Sequence, residues 1–148
     1  MSDPRIIGYL GRAITHEFSA AQQYLAQSRL VALWGMEAES ADFRKDAHEE
    51  MGHADLLMAR MLQHGNVPGG SQLAPVRVGR SLVDLLTQNR GMELDAIRLY
   101  EEAMTYCLRR RATEDAQLFE RIRNDEIAHV QEIDSKMAGL VNRGQSGG

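Results

Sequence analysis

The sequence predicts an all-α fold: a four-helix bundle built from two antiparallel helical hairpins joined by one long crossover. Three observations predict it. Alanine, leucine, glutamate, arginine and glutamine, which favour helix, are abundant, while valine and isoleucine are sparse and strand-like alternation is hard to find. The only prolines, Pro4, Pro68 and Pro75, interrupt no long periodic segment. Of the three links between periodic segments, two are tight and one is long.

The first helix is expected from about Pro4 to Trp34. Ser2 or Asp3 can cap it, and Pro4 sits in the first turn, where a missing N–H costs little. Ile7, Leu10, Ile14, Ala21, Leu25, Ser28 and Val31 keep an apolar or small stripe at helical spacing. The second helix is expected from Met36 to His64, with Gly65 and then Pro68 marking its end. The third begins near Ser81, with Asp84 as a partial capping box, and continues to about Arg110. The fourth begins near Thr113, where Glu114 and Asp115 favour the positive end of the helix dipole, and fades around Val141. Residues 1–141 thus form one bundle, and 142–148 ("NRGQSGG") are expected to be a mobile, glycine-rich tail.

Short links near Gly35 and Ala112 make helices one and two neighbours, and helices three and four neighbours. The stretch "GNVPGGSQLAPVRVGR", 65–80, carries turn residues and is long. Extended, it can span roughly 50 Å. A 28-residue helix is about 42 Å long. The crossover can therefore return along the whole bundle.

Composition narrows the function. The 148 residues are 43% hydrophobic and 26% charged, an ordinary soluble balance, with a net charge of −4 that gives no case for nucleic acid. No apolar run approaches the length of a membrane span, and "MSDPRIIGYL" lacks the pattern of a secretory signal. Cys107 stands alone, which excludes a disulfide framework and a thiolate zinc site and makes a cytoplasmic setting the expectation.

The chemistry lies in a hidden repeat. "HEEMGHAD" places Glu50 and His53 three residues apart on one helix face, and "NDEIAHVQ" does the same with Glu126 and His129. Each first helix of a hairpin carries a lone glutamate, Glu17 in "THEFSAAQQY" and Glu93 in "GMELDAIRLY". Glu17 and Glu93, Glu50 and Glu126, His53 and His129, Tyr24 and Tyr100, and Ala20 and Ala96 are each 76 positions apart. Each hairpin reads E-x-x-A-x-x-x-Y and then [D/E]-E-x-x-H. A solvated face does not explain a common offset. A pseudo-two-fold pairing brings Glu17, Glu50, His53, Glu93, Glu126 and His129 to the bundle centre, where charged side chains inside apolar stripes need partners or metal.

Four glutamates carry −4 and two Fe(II) ions carry +4, so a filled site is neutral. Oxygen and nitrogen donors without sulfur suit two iron or manganese ions, with zinc as a competitor. One glutamate from each of two helices and Glu-x-x-His from each of the others is the ligand pattern of di-iron carboxylate bundles. Tyr24 and Tyr100 lie two turns beyond their glutamates and can donate hydrogen bonds to ligand carboxylates; packing as core aromatics is the plainer role open to them. His16, His48 and His64 are expected to face solvent or an interface, with His48 able to lie near a metal access route. Trp34 is expected to pack at the first turn, and Arg109–Arg111 to close a helix C-terminus.

With "HEFSAAQQY", "EEMGHAD", "MELDA" and "DEIAH" in place, residues 5–141 resemble the bacterioferritins, which are ferritin-like four-helix bundles. The resemblance implies that the six residues ligate two iron ions per subunit, with Glu50 and Glu126 bridging. It implies oxidation of Fe(II) by O2 or H2O2 and storage of Fe(III) mineral in a hollow shell of two-fold dimers. It also implies that Met51 of each subunit ligates haem iron, one haem per dimer, and that a ferredoxin-type reductant is a partner. The family's fifth helix, which packs around the four-fold axis of a 24-subunit shell, has no counterpart in "NRGQSGG", so a twelve-subunit shell is expected beside the larger one. A further inner-surface iron site uses histidine and aspartate in the family. The corresponding Lys45 and Glu49 do not carry it over. The competing expectation is a di-iron or di-manganese peroxidase or catalase, rubrerythrin-like and without storage.

Overall fold

The computed structural model describes residues 2–146 as four long helices: α1 (Pro4–Leu33), α2 (Glu37–Gln63), α3 (Leu82–Arg109) and α4 (Thr113–Ser146). α1 packs closely along α2 and α3 along α4; α1 also meets α3, and α2 meets α4 over a shorter stretch. No helix among the described residues is long and apolar enough to cross a membrane.

The helix ends follow local chemistry. Of the two candidate caps of α1, Asp3 is the one used: its carboxylate accepts from the Arg5 N–H at 2.8 Å, and Pro4 fills the first position. Ser81 caps α3 by accepting from the Asp84 N–H at 3.2 Å. Gly35 and Gly65 leave α1 and α2 at φ 81° and 83°, the left-handed conformation glycine adopts without strain. The α3–α4 turn uses Arg111 at φ 57° for the same purpose. α4 does not fade at Val141. It continues to Ser146, since extending an established helix carries no new nucleation cost. Gly147 and Gly148 of the expected tail lie outside the described residues.

The crossover runs along α1 and is pinned at intervals. The Thr15 hydroxyl donates to Ser71 Oγ, the Ala74 N–H to Ser19 Oγ, and the Arg77 N–H to Gln23 Oε1. Behind the last contact stands a buried amide ladder. Gln23 donates to Asn89 at 3.0 Å, Asn89 donates to Gln27 at 2.7 Å, and Gln27 donates to the Arg77 carbonyl at 3.1 Å. Both backbone groups of Arg77 are thus held by one network that ties α1, α3 and the crossover together.

The apolar core is in two parts. One contains Leu10, Ile14, Leu57, Tyr100, Phe119 and Ile122. The other contains Tyr24, Val31, Phe43, Leu85, Leu86 and Ile133. Tyr24 stacks on Phe43 at 6.2 Å and Tyr100 meets Phe119 at 6.0 Å, so the repeat extends to the packing. Between the two parts lies a layer of charged side chains with no apolar substitute. Trp34 forms the C-cap of α1 at the first turn and is 37% exposed.

Candidate metal centre

Helical spacing delivers one glutamate from α1 (Glu17), one from α3 (Glu93), and a Glu–His pair from each of α2 and α4. All four glutamates have no exposed surface, and His53 and His129 are each 6% exposed. Two groups of four converge: Glu17, Glu50, His53 and Glu126, and Glu50, Glu93, Glu126 and His129. Within each group the donor atoms lie within 4.8 Å of one another, and Glu50 and Glu126 belong to both. His53 Nδ1 is 2.9 Å from Glu126 and 3.5 Å from Glu17; His129 Nδ1 is 3.2 Å from Glu50. The imidazole centroids are 6.5 Å apart.

The polar atoms that face this space lack hydrogen bonds. They are Glu17 Oε2, both oxygens of Glu50 and of Glu126, Glu93 Oε2, and Nδ1 of both histidines. Buried polar groups are ordinarily paired. Here the unpaired ones face one another within 4.8 Å inside each group, and oxygen and imidazole donors of this kind fit two divalent metals. Outside that space four of the six residues are supported. Tyr24 donates to Glu93 at 2.8 Å and Tyr100 donates to Glu17 at 2.5 Å. Burial raises both phenols above their ordinary range, so they stay protonated and act as donors. Nε2 of His53 meets Asp125 at 2.9 Å, and Nε2 of His129 meets Glu49. A carboxylate has no proton to give, so Nε2–H donates in each case, and Nδ1 is the nitrogen that faces inward.

Without cations the cluster draws protons. Burial, then the neighbouring Glu17, holds Glu50 well above the ordinary carboxylate range. For His129, burial opposes the charged form, but Glu126 and Glu50 override it and push the imidazole up to about 12. His53 is raised in the same way by Glu126, Glu17 and Glu50 against its burial. Glu126 is buried too, yet the two histidines bring it down to about 2. Protons thus offset much of the negative charge that two divalent metals would balance, and metal uptake would displace them.

A cleft of about 560 Å³ between α2 and α4 opens onto the histidines and is lined by Glu49, Asp125, Glu132 and Arg121 among others. His48 is exposed and does not line it. His64, expected to face solvent or an interface, makes contacts within the chain. Its imidazole is 16% exposed and bridges Ser2 at 2.9 Å and the buried Asp115 at 2.8 Å at the end of the bundle.

Met51, next to Glu50, points the other way. It is 46% exposed on the rim of an apolar cleft of about 530 Å³ with Ile14, Phe18, Leu25, Met58 and Leu73.

Sequence reasoning missed three acids. Glu49 and Asp125 were legible as the first position of [D/E]-E-x-x-H, 76 positions apart, but carried no role. Asp46 had no such signal, since the other hairpin has Ile122 at that position. Burial pushes Asp46 up to about 6, and it groups with Glu49 and His129.

Residues 7–140 match the family model described as a ferritin-like domain. The chain is 32% identical to a bacterioferritin of Rhodobacter capsulatus, over 98% of this chain and 90% of that one. It is 28% identical to a bacterioferritin of Streptomyces coelicolor, over 97% of this chain and 86% of that one. A solved structure of the Rhodobacter capsulatus protein superposes with a TM-score of 0.91, covering 96% of this chain and 88% of that one. That structure is described as having a metal-free dinuclear site and haem iron in a crystallographic special position.

Proposed function

This chain belongs to the bacterioferritins, within the ferritin-like family, and from that premise we propose that it is an iron-storage ferroxidase. Fe(II) is its substrate and Fe(III) mineral its cargo. The observation that carries the reading is the convergence of eight unpaired donor atoms, from six buried side chains, in the charged layer between the two halves of the core. Glu17 and Glu93 hold one Fe(II) each from α1 and α3, His53 and His129 hold one each from α2 and α4, and Glu50 and Glu126 lie between the two.

Holding two Fe(II) side by side lets the site deliver two electrons together. Two Fe(II), O2 and two protons give two Fe(III) and H2O2. With H2O2 as oxidant, two Fe(II) and two protons give two Fe(III) and two waters. Both routes avoid release of a one-electron radical. The charge balance also favours turnover. Four carboxylates neutralise two Fe(II), but two Fe(III) exceed them by two positive charges in a buried layer, which favours release of product to the mineral.

The sulfur of Met51, at the rim of an apolar cleft, suits haem iron as a soft ligand, with Leu25, Phe18 and Met58 as apolar walls. Bound there by one Met51 from each subunit of a two-fold dimer, haem would supply a one-electron path between an external ferredoxin-type reductant and the stored iron. The assembly proposed is a shell of 12 or 24 subunits working in the cytoplasm.

Stopped-flow oxidation of Fe(II) tests the centre. Glu17→Ala and His129→Ala are expected to abolish the rapid phase, and unchanged kinetics would remove the assignment. Mass photometry and iron analysis after loading test storage. A dimer retaining about two metals per chain would favour a peroxidase or catalase. An optical spectrum of the native protein and of Met51→Leu tests the haem.

A further inference from the structure

We propose that Asp125 and Glu49 are positioning residues that hold the histidine of the opposite hairpin, so that each governs a different one of the two metal positions. The inference rests on the reading of the six buried residues as a two-metal centre. Asp125 stands on α4 and meets His53 of α2; Glu49 stands on α2 and meets His129 of α4. The contacts cross the pseudo-two-fold axis, as do the two tyrosine–glutamate contacts. No single hairpin can therefore orient its own ligands.

The geometry gives the acids a task beyond solubility. Both imidazoles are nearly buried, yet Nε2 of each borders the open cleft. Among the described residues, no hydrogen-bond partner other than the acid is found for either Nε2. Removing the carboxylate leaves the ring free to turn about its second side-chain torsion and free to place its hydrogen on Nδ1, where it blocks coordination. The acids are 54% and 40% exposed in their side chains, so they bury little area that the fold depends on.

The assignment is specific to position. Asp125 acts on His53, a member of the group with Glu17. Glu49 acts on His129, a member of the group with Glu93. Asp125→Asn should weaken the first metal position, and Glu49→Gln the second, each by roughly 10–100-fold.

Cobalt(II), which is spectroscopically visible and not oxidised under the assay conditions, is the probe. The full-length, metal-free protein is titrated by d–d absorption and calorimetry, and the loaded protein is examined by paramagnetic proton NMR. The wild type is expected to take two Co(II) per chain and to show two shifted, solvent-exchangeable imidazole N–H signals. Each amide variant should keep one tight site and shift or lose a different N–H signal, and Asp125→Glu, which keeps the charge, should restore most of the affinity. Glu132→Gln, which removes one negative charge from the same cleft without touching either imidazole, should bind like wild type. Variants with wild-type affinities and both signals intact would overturn the proposal. So would variants that weaken both positions equally, or that melt early without metal, because the carboxylates would then act on the fold. If the wild type takes up no pair of Co(II) ions, the two-metal reading itself fails. If it does and the variants match it, only the positioning roles fail.

Discussion

Glu17 is an acid with no exposed surface, and a phenol holds one of its oxygens while the other faces the metal gap. Tyr100 thereby sets which oxygen is presented. Its counterpart Tyr24 does the same for Glu93. Tyr100→Phe keeps the volume of the ring packed against Phe119 but leaves Glu17 Oε1 without a donor. The expected result is Fe(II) binding weakened about tenfold with the melting temperature of the metal-free protein nearly unchanged. The Fe(II) concentration dependence of the rapid oxidation phase measures it, and a dependence identical to wild type would show that the hydroxyl only satisfies itself. The tyrosines were legible from their common offset. Their crossing to the opposite hairpin was not, because spacing within one helix says nothing of which neighbour a side chain meets.

At the scale of elements, the crossover is the least regular part of the fold and the most carefully tethered. The amide ladder of Gln23, Asn89 and Gln27 holds both backbone groups of Arg77, and all three side chains are buried. Asn89→Ala removes the middle rung and strands two buried amides, at a cost of roughly 1–3 kcal/mol for each group left unpaired. We expect a lower melting temperature and faster proteolytic cleavage within 65–80. Limited proteolysis followed by mass spectrometry reads it directly, and a cleavage rate equal to wild type would mean that the ladder does not secure the crossover. The existence and length of the crossover could be read from Pro68, Pro75 and the glycines around them. The ladder could not, since glutamine and asparagine on a helix look like a solvated face until another element covers them.

For the whole molecule, the charged layer divides the core and joins the hairpins. Without cations the layer takes up protons at His53, His129 and Glu50, which offset most of its negative charge. Two metals would replace them and tie all four helices to common centres. Binding to the folded state alone stabilises it by mass action, about 2.7 kcal/mol per site at a hundredfold excess over Kd. Zn(II) or Co(II) should therefore raise the melting temperature and release protons on binding, and His129→Ala should lose most of that gain. Calorimetry in two buffers of different ionisation enthalpy counts the protons. A melting temperature indifferent to metal would show that the layer is not a metal centre.

What the sequence by itself determined is local and periodic. Caps, glycines and prolines set where the helices start and stop. A helical period turns spacing into a face, and a 76-residue repeat maps the polar face of one hairpin onto the other, which is why Glu17, Glu50, His53, Glu93, Glu126 and His129 could be picked out together. What only the tertiary structure decided is which side chain meets which across a helix boundary. Asp125 reaches His53, Glu49 reaches His129, Asp46 is half-buried beside them, and His64 is held by Ser2 and Asp115. Such contacts depend on the rotation and offset of one helix against another to within a fraction of a turn, and those are set by how the whole core packs.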